Sequence, residues 1–276
     1  MDWAAHRGAV QFRAGTAIVP TETGWLVQLP DEEILHVDVD AEWRPVVASV
    51  LAGRRSPAHA VDAAPGAGVG DLLDALAAEG ALARTEPVPA AGHVVLVGDG
   101  PALSPAAGLL EAAGARVERS SLEELDDRRP DAVVAVSRWL PDLTWRRLDA
   151  WSAGAGVPWH RAHGEGRRWY VGPFTVPGES PGYEDLRLRR LAACEWPDDL
   201  LALWAWLDGG GAPTCAGDPG TAAVVAAALV VTDVLCHLQG QDVPGAHVQV
   251  GIDGVTGEVR RHPVLAVPRY LVTEAG

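Results

Sequence analysis

From residue 93 onward the chain alternates strand-like and helix-like segments, and few architectures accommodate that order. His93-Val-Val-Leu-Val-Gly-Asp-Gly-Pro101 is an apolar run ending in a glycine turn, and a helical stretch, Ser104–Ala113, follows and is closed by Gly114. Strand Arg116–Glu118, helix Ser121–Arg128, strand Ala132–Val136 and helix Asp142–Ala153 repeat the pattern. This βαβ alternation predicts a parallel sheet with helices packed on it, a Rossmann-like architecture. Further on, residues 169–190 run from a strand through a Pro/Gly loop into an arginine-rich helix. Pro219–Gln239 reads as a long buried helix, and His247–Gly251 and Glu258–Arg261 flank the turn Asp253-Gly-Val-Thr-Gly257 as a hairpin.

The stretch Thr85-Glu-Pro-Val-Pro-Ala-Ala-Gly92 reads as a linker, so that residues 1–84 form one domain and 93–276 another. Before it, Thr16–Val19, Gly24–Leu29 and Ile34–Val39 are short Val/Ile/Leu/Trp-rich runs separated by Pro20-Thr-Glu-Thr23 and Pro30-Asp-Glu-Glu33, a meander of three strands. Helices are predicted over Ala41–Ala52, near Pro57–Ala63 with Ser56 as N-cap, and over Gly68–Glu79. Three strands and three helices suggest a winged helix-turn-helix-like module. Its usual ligand, DNA, is disfavoured, because the third helix carries Asp71, Asp74 and Glu79 and no basic residue. The same outline can accept an extended peptide as an added strand beside the third helix. For that role the third strand and third helix supply Leu35, Val37, Leu72, Leu73 and Leu76, although a plain core would show the same apolar pattern.

Composition narrows the chemistry. All 22 basic residues are arginine, and the chain has neither lysine nor asparagine. A Walker A loop, a Schiff-base enzyme and a Ser-x-x-Lys hydrolase each need a lysine, and a Cys-His-Asn set needs an asparagine. A formal charge of −15 opposes nucleic-acid binding. The turn Gly98-Asp99-Gly100-Pro101-Ala102-Leu103 has leucine where G-x-G-x-x-G has its third glycine, and Asp99 sits where a phosphate would lie. Three scattered cysteines, Cys194, Cys215 and Cys236, give no disulfide framework and suit a reducing compartment. With no signal-like start and with Thr221–Leu238 interrupted by Asp233 and His237, the expectation is a cytoplasmic chain that does not enter a membrane.

Val171-Gly172-Pro173, Pro177-Gly178, Arg187–Arg190 and Val267-Pro268-Arg269, in that order, resemble the ThiF-like adenylating fold. The resemblance is to the branch found as partner protein of azoline-forming YcaO cyclodehydratases, the precursor leader-peptide-binding proteins of thiopeptide-type pathways. It covers nearly the whole chain. It implies an N-terminal recognition element for the leader of a ribosomally made peptide, followed by a degenerate Rossmann-like ThiF domain. Its expected partners are a precursor leader peptide and a YcaO cyclodehydratase, with a homodimer left open. The family also implies a structural zinc held by two cysteine pairs. The corresponding positions here are Gly182 and Asp185, then Tyr270 and Thr273, so no zinc is expected, and Tyr183 and Tyr270 are expected to pack in its place. No catalytic residue and no cofactor is assigned. The alternative is an ATP-dependent adenylating enzyme that uses Gly98–Pro101 with arginine in place of lysine.

Two remaining features are assigned blandly. His160 and His163 are expected as an exposed loop pair without fixed ligand geometry. Of 11 tryptophans, most are expected to fill the core, with Trp204 and Trp206 as candidates for a partner interface.

Overall fold

In the computed structural model, which describes residues 10–13, 15–52, 68–84, 92–213 and 220–268, strands form where Val, Ile and Leu alternate between turn residues. Contacts divide the chain into two units, Met1–Pro87 and Val88–Gly276. The first contains β1 (Val10–Phe12), β2 (Ala17–Pro20), β3 (Gly24–Gln28), β4 (Ile34–Asp38), α1 (Arg44–Leu51), α2 (Val69–Ala78) and β5 (Leu82–Arg84). Strands β2, β3 and β4 form an antiparallel sheet in that order, and β1 pairs with β5 as a separate ribbon. Sequence pattern did not indicate β1, a three-residue strand recognisable only from its long-range partner. The helix expected near Pro57–Ala63 and most of the expected linker lie outside the described residues. Val27, Leu29, Val37, Leu76 and Ala81 pack under the sheet, while Val47, Val50, Val69 and Leu73 join α1 to α2.

The second unit is a mixed α/β fold around a seven-stranded sheet. Its elements are β6 (His93–Gly98), α3 (Leu103–Ala112), β7 (Arg116–Ser120), a 3-10 turn (Leu122–Asp127), β8 (Ala132–Ser137), α4 (Asp142–Ala155), β9 (Trp159–Glu165) and β10 (Arg168–Val171). There follow α5 (Tyr183–Ala193), α6 (Pro197–Asp208), α7 (Gly220–Leu238), β11 (Val248–Asp253) and β12 (Val259–Pro263). The strand order is β7-β6-β8-β9-β10-β11-β12. The first four strands are parallel, as the βαβ pattern predicts, and β10, β11 and β12 are antiparallel. The switch has a local cause. Only Gly166 and Arg167 separate β9 from β10, and two residues can close a hairpin but not a parallel crossover.

Alternate residues of the central strands feed opposite cores. Val94, Leu96, Val134 and Val136 face α3 and α7, whereas Val95, Val97, Val133 and Ala135 join Trp145, Leu148 and Trp204. Trp204 is thus a core residue, contrary to the interface expectation, while Trp206 is half exposed. Helix α7 is long and apolar enough to cross a membrane, but Ala223, Ala226, Val230 and Val234 are buried within the unit.

Strand β9 corrects the histidine expectation. His160 and His163 are both buried, and because i and i+3 fall on opposite faces of a strand they cannot form a ligand pair. His160 Nε2 lies 2.9 Å from Asp233 of α7, and His163 Nε2 lies 3.0 Å from Glu165. Arg190 forks onto Glu165 at 2.7 and 2.9 Å. Burial alone would push the Glu165 carboxyl up, but the hydrogen bonds and charges of His163 and Arg190 outweigh it and hold the group at about 2. Burial also holds His163 below the ordinary imidazole range, against the opposing pull of Glu165.

A carboxyl lowered from 4.5 to about 2 stabilises the fold above its unfolded value and loses that contribution as pH falls through the folded one. Urea unfolding is therefore expected to lose on the order of 3 kcal/mol between about pH 5 and about pH 2 through this group. Glu165→Gln should show a correspondingly shallower acid slope than the parent chain.

Candidate functional site

The first unit has a sheet with two unlike edges. The Val39 amide donates to Thr23 O at 3.2 Å and the Leu29 amide to Glu33 O at 2.8 Å. Those two bonds fix the phase of the β3–β4 ladder: the backbone groups of Leu35 and Val37 point to β3, and those of Ile34, His36 and Asp38 point away from it. No other described strand pairs with β4. On the opposite edge the same argument turns Ile18 and Pro20 of β2 outward, because the Thr21 amide bonds to Gly24 O. Pro20 has no N–H, and proline is a device that blunts an edge. Strand β4 carries no such device and remains a template for one more strand.

Beside the end of β4 lies an open pocket of about 570 Å³ whose lining includes Asp38, Val39, Trp43, Val47, Gly68 and Leu72. Arg44 fixes its rim, Nε donating to Val39 O at 3.0 Å and Nη1 to Glu22 O at 2.5 Å. Of the residues expected to bind peptide, Leu72 lines this pocket and Leu35 is half buried on the core-facing side of β4. Val37, Leu73 and Leu76 are buried at 7, 1 and 2 % exposure and serve as core wall behind it. Sequence reasoning missed the outward backbone of Ile34, His36 and Asp38, and it missed Trp43. The available signal was a proline in the first strand of the meander and none in the third.

The glycine turn of the second unit has a different economy of donors. The Asp99 amide donates to Val136 O at 3.0 Å and the Leu103 amide to Gly100 O at 3.2 Å. Pro105, in the first turn of α3, has no amide to offer. Gly98 has φ +94°, and a Cβ there would stand 2.2 Å from Val136 O. Close packing against β8 therefore accounts for this glycine, and two amides of the turn together with Pro105 are withdrawn from any phosphate cradle.

The zinc positions implied by the family resemblance do not fit a zinc ion. Gly182 offers no ligand atom, and the Asp185 carboxylate already accepts the amides of Gly182 (2.8 Å) and Val267 (2.7 Å). Tyr270 and Thr273 lie outside the described residues. Among the described residues, no three of His, Cys, Asp and Glu are grouped to hold a metal. Tyr183 is buried at the start of α5, its hydroxyl donating to Asp142 Oδ1 at 2.7 Å, and burial together with that carboxylate pushes its pKa well up.

The chain is a mixed α/β protein with a large mixed sheet. No family model and no curated protein matches the chain in sequence. Among solved structures, the heterocyclase TruD aligns with a TM-score of 0.72 at 15% identity, over 95% of this chain and 42% of that one. A heterocyclase in complex with substrate and cofactor aligns at 0.68 and 14% identity, over 94% and 38%. E. coli MccB aligns at 0.64 and 13% identity, over 94% and 95%, and has also been solved with N-formylated MccA and with ATP. The chain thus spans less than half of the two heterocyclase chains and nearly all of MccB. At these identities the likeness is one of fold.

The ladder phase makes adjacent positions on β4 respond differently to proline. His36→Pro should leave unit 1 folded, because the lost N–H faces outward. Val37→Pro should cost about 1–3 kcal/mol more, because it leaves a ladder acceptor on β3 unpaired. Denaturant unfolding of the two variants checks the assignment.

Proposed function

We propose that this chain is a non-catalytic partner protein that binds the leader of a ribosomally made precursor peptide and presents the core peptide to a separate YcaO cyclodehydratase for azoline formation. The observation that carries this reading is the unpaired edge of β4, with its outward backbone groups at Ile34, His36 and Asp38, beside the pocket lined by Val39, Trp43, Val47 and Leu72. A leader laid along β4 would gain main-chain hydrogen bonds there and place one apolar side chain in the pocket. Unit 1 then corresponds to a winged-helix-like recognition element, and unit 2 to a degenerate ThiF-like scaffold. Support comes from the kind of protein that shares the fold: two heterocyclases, one solved with its substrate, and MccB, solved with MccA. Catalysis is assigned elsewhere because the sequence contains no lysine and its glycine turn carries the Asp99 carboxylate where a phosphate would lie. Holding the core peptide near a partner's active site raises its effective concentration without chemistry by this chain.

The second reading is an ATP-dependent adenylating enzyme, favoured by the MccB–ATP complex. Against it stand the engaged amides of Asp99 and Leu103, Pro105 in the helix start, and the Asp99 carboxylate.

Calorimetry on the full chain separates the two. Saturable binding of the leader of a precursor encoded beside the chain, with no heat from ATP and magnesium, is the expected result. Tight ATP binding with no leader binding would replace the scaffold by the enzyme.

A further inference from the structure

We infer that the corner where the resembled fold carries zinc is held in this chain by a metal-free clasp of two carboxylates and two guanidinium groups, Asp149, Asp185, Arg161 and Arg189. The clasp is independent of leader binding. In the first turn of α5 the amides have no partner within the helix. Asp185 Oδ2 accepts the Gly182 amide at 2.8 Å, and Asp149 accepts the amides of Tyr183 at 2.9 Å and Glu184 at 3.3 Å. Two carboxylates thus satisfy three successive donors at the positive end of the helix. Asp149 also explains the glycine. A Cβ at position 182 would stand 2.7 Å from Asp149 Oδ2, so a cysteine side chain could not enter while that carboxylate caps the helix.

The same helix end grips the last described stretch of chain. Asp185 Oδ1 accepts the Val267 amide at 2.7 Å, and one turn later Arg189 donates to Leu265 O at 2.5 Å and Ala266 O at 3.4 Å. Val264, just ahead, is buried among Trp145, Leu186 and Trp204. Zinc in the resembled fold would join two segments through four sulfurs; here one aspartate and one arginine on α5 join the same helix start to residues 264–267.

The cation of the corner is Arg161. It is 1 % exposed, its Nη1 donates to Thr175 at 3.1 Å and its Nη2 to Gly182 O at 3.4 Å, and its guanidinium lies over the rings of Trp159 (4.8 Å) and Tyr183 (5.5 Å). Burial lowers its pKa to about 10 against the pull of Asp149, Tyr183 and Asp185, which leaves it charged at neutral pH. A buried positive charge behind two helix-capping carboxylates offsets them as a metal ion would offset thiolates. The clasp also fixes one wall of an open cavity of about 700 Å³, where Asp185 and Val267 face Pro177, Glu179 and His247.

The test uses the full chain, dialysed against EDTA and read by elemental analysis, thermal unfolding and hydrogen exchange. The clasp predicts no stoichiometric zinc, a melting temperature unmoved by the chelator, and exchange at the Val267 amide at least about tenfold faster in Asp185→Ala while β6 and β8 amides are unchanged. Should Asp185→Ala fail to fold, Arg189→Gln is expected to release the same segment, with faster exchange across 265–267. Zinc retained in a one-to-one ratio and lost together with thermal stability on chelation would overturn the inference. So would exchange at Val267 that neither substitution moves.

Discussion

A backbone N–H group that leaves water needs an acceptor, and that requirement distinguishes the glycine turn after β6, the start of α5 and the edge of β4. At the glycine turn after β6 two amides are engaged, Asp99 by Val136 and Leu103 by Gly100, and Pro105 supplies none. At the start of α5 the amides of Gly182, Tyr183 and Glu184 are engaged by Asp149 and Asp185. Along β4, donors and acceptors alternate outward at Ile34, His36 and Asp38 with no described strand to receive them, and no proline interrupts that edge as Pro20 does on β2.

Much of this was legible in the sequence, and the parts that were not share a physical cause. Apolar runs bounded by glycine and proline marked β3, β4, β6 and β8, because those strands are buried along their length or on one face. Strand β9 escaped, since Trp159-His-Arg-Ala-His-Gly-Glu165 carries four titratable groups, and what makes it a central strand is a set of distant partners: Asp233 for His160, Thr175 for Arg161, and Arg190 for Glu165. Periodicity cannot show a partner 73 residues away. Helix α6 escaped for the opposite reason. Its Leu201, Leu203 and Trp206 are exposed and only Trp204 is buried, so no polar face distinguished one side from the other.

The candidate site was half visible. The apolar pattern pointed to β4 and α2, yet Val37, Leu73 and Leu76 are core, and what stands in front of them is the outward backbone of β4. A side-chain pattern reports which face of a strand is buried. It is silent on which edge is paired, and here the useful clue was Pro20 on the far edge. Gly182 and Asp185 were readable as departures from a cysteine pair; the capping of that helix start by Asp149 and the bond from Arg161 to Gly182 O were not, because neither residue lies near Gly182 in sequence.

The central claim is that β4 receives a peptide as an additional strand, and amide hydrogen exchange in the full chain, with and without saturating leader peptide, tests it most directly. The account predicts slowed exchange at alternate β4 amides, Ile34, His36 and Asp38, with Leu35 and Val37 unchanged because their amides already face β3. Saturable leader binding that leaves those three amides exchanging at their free rates would contradict it.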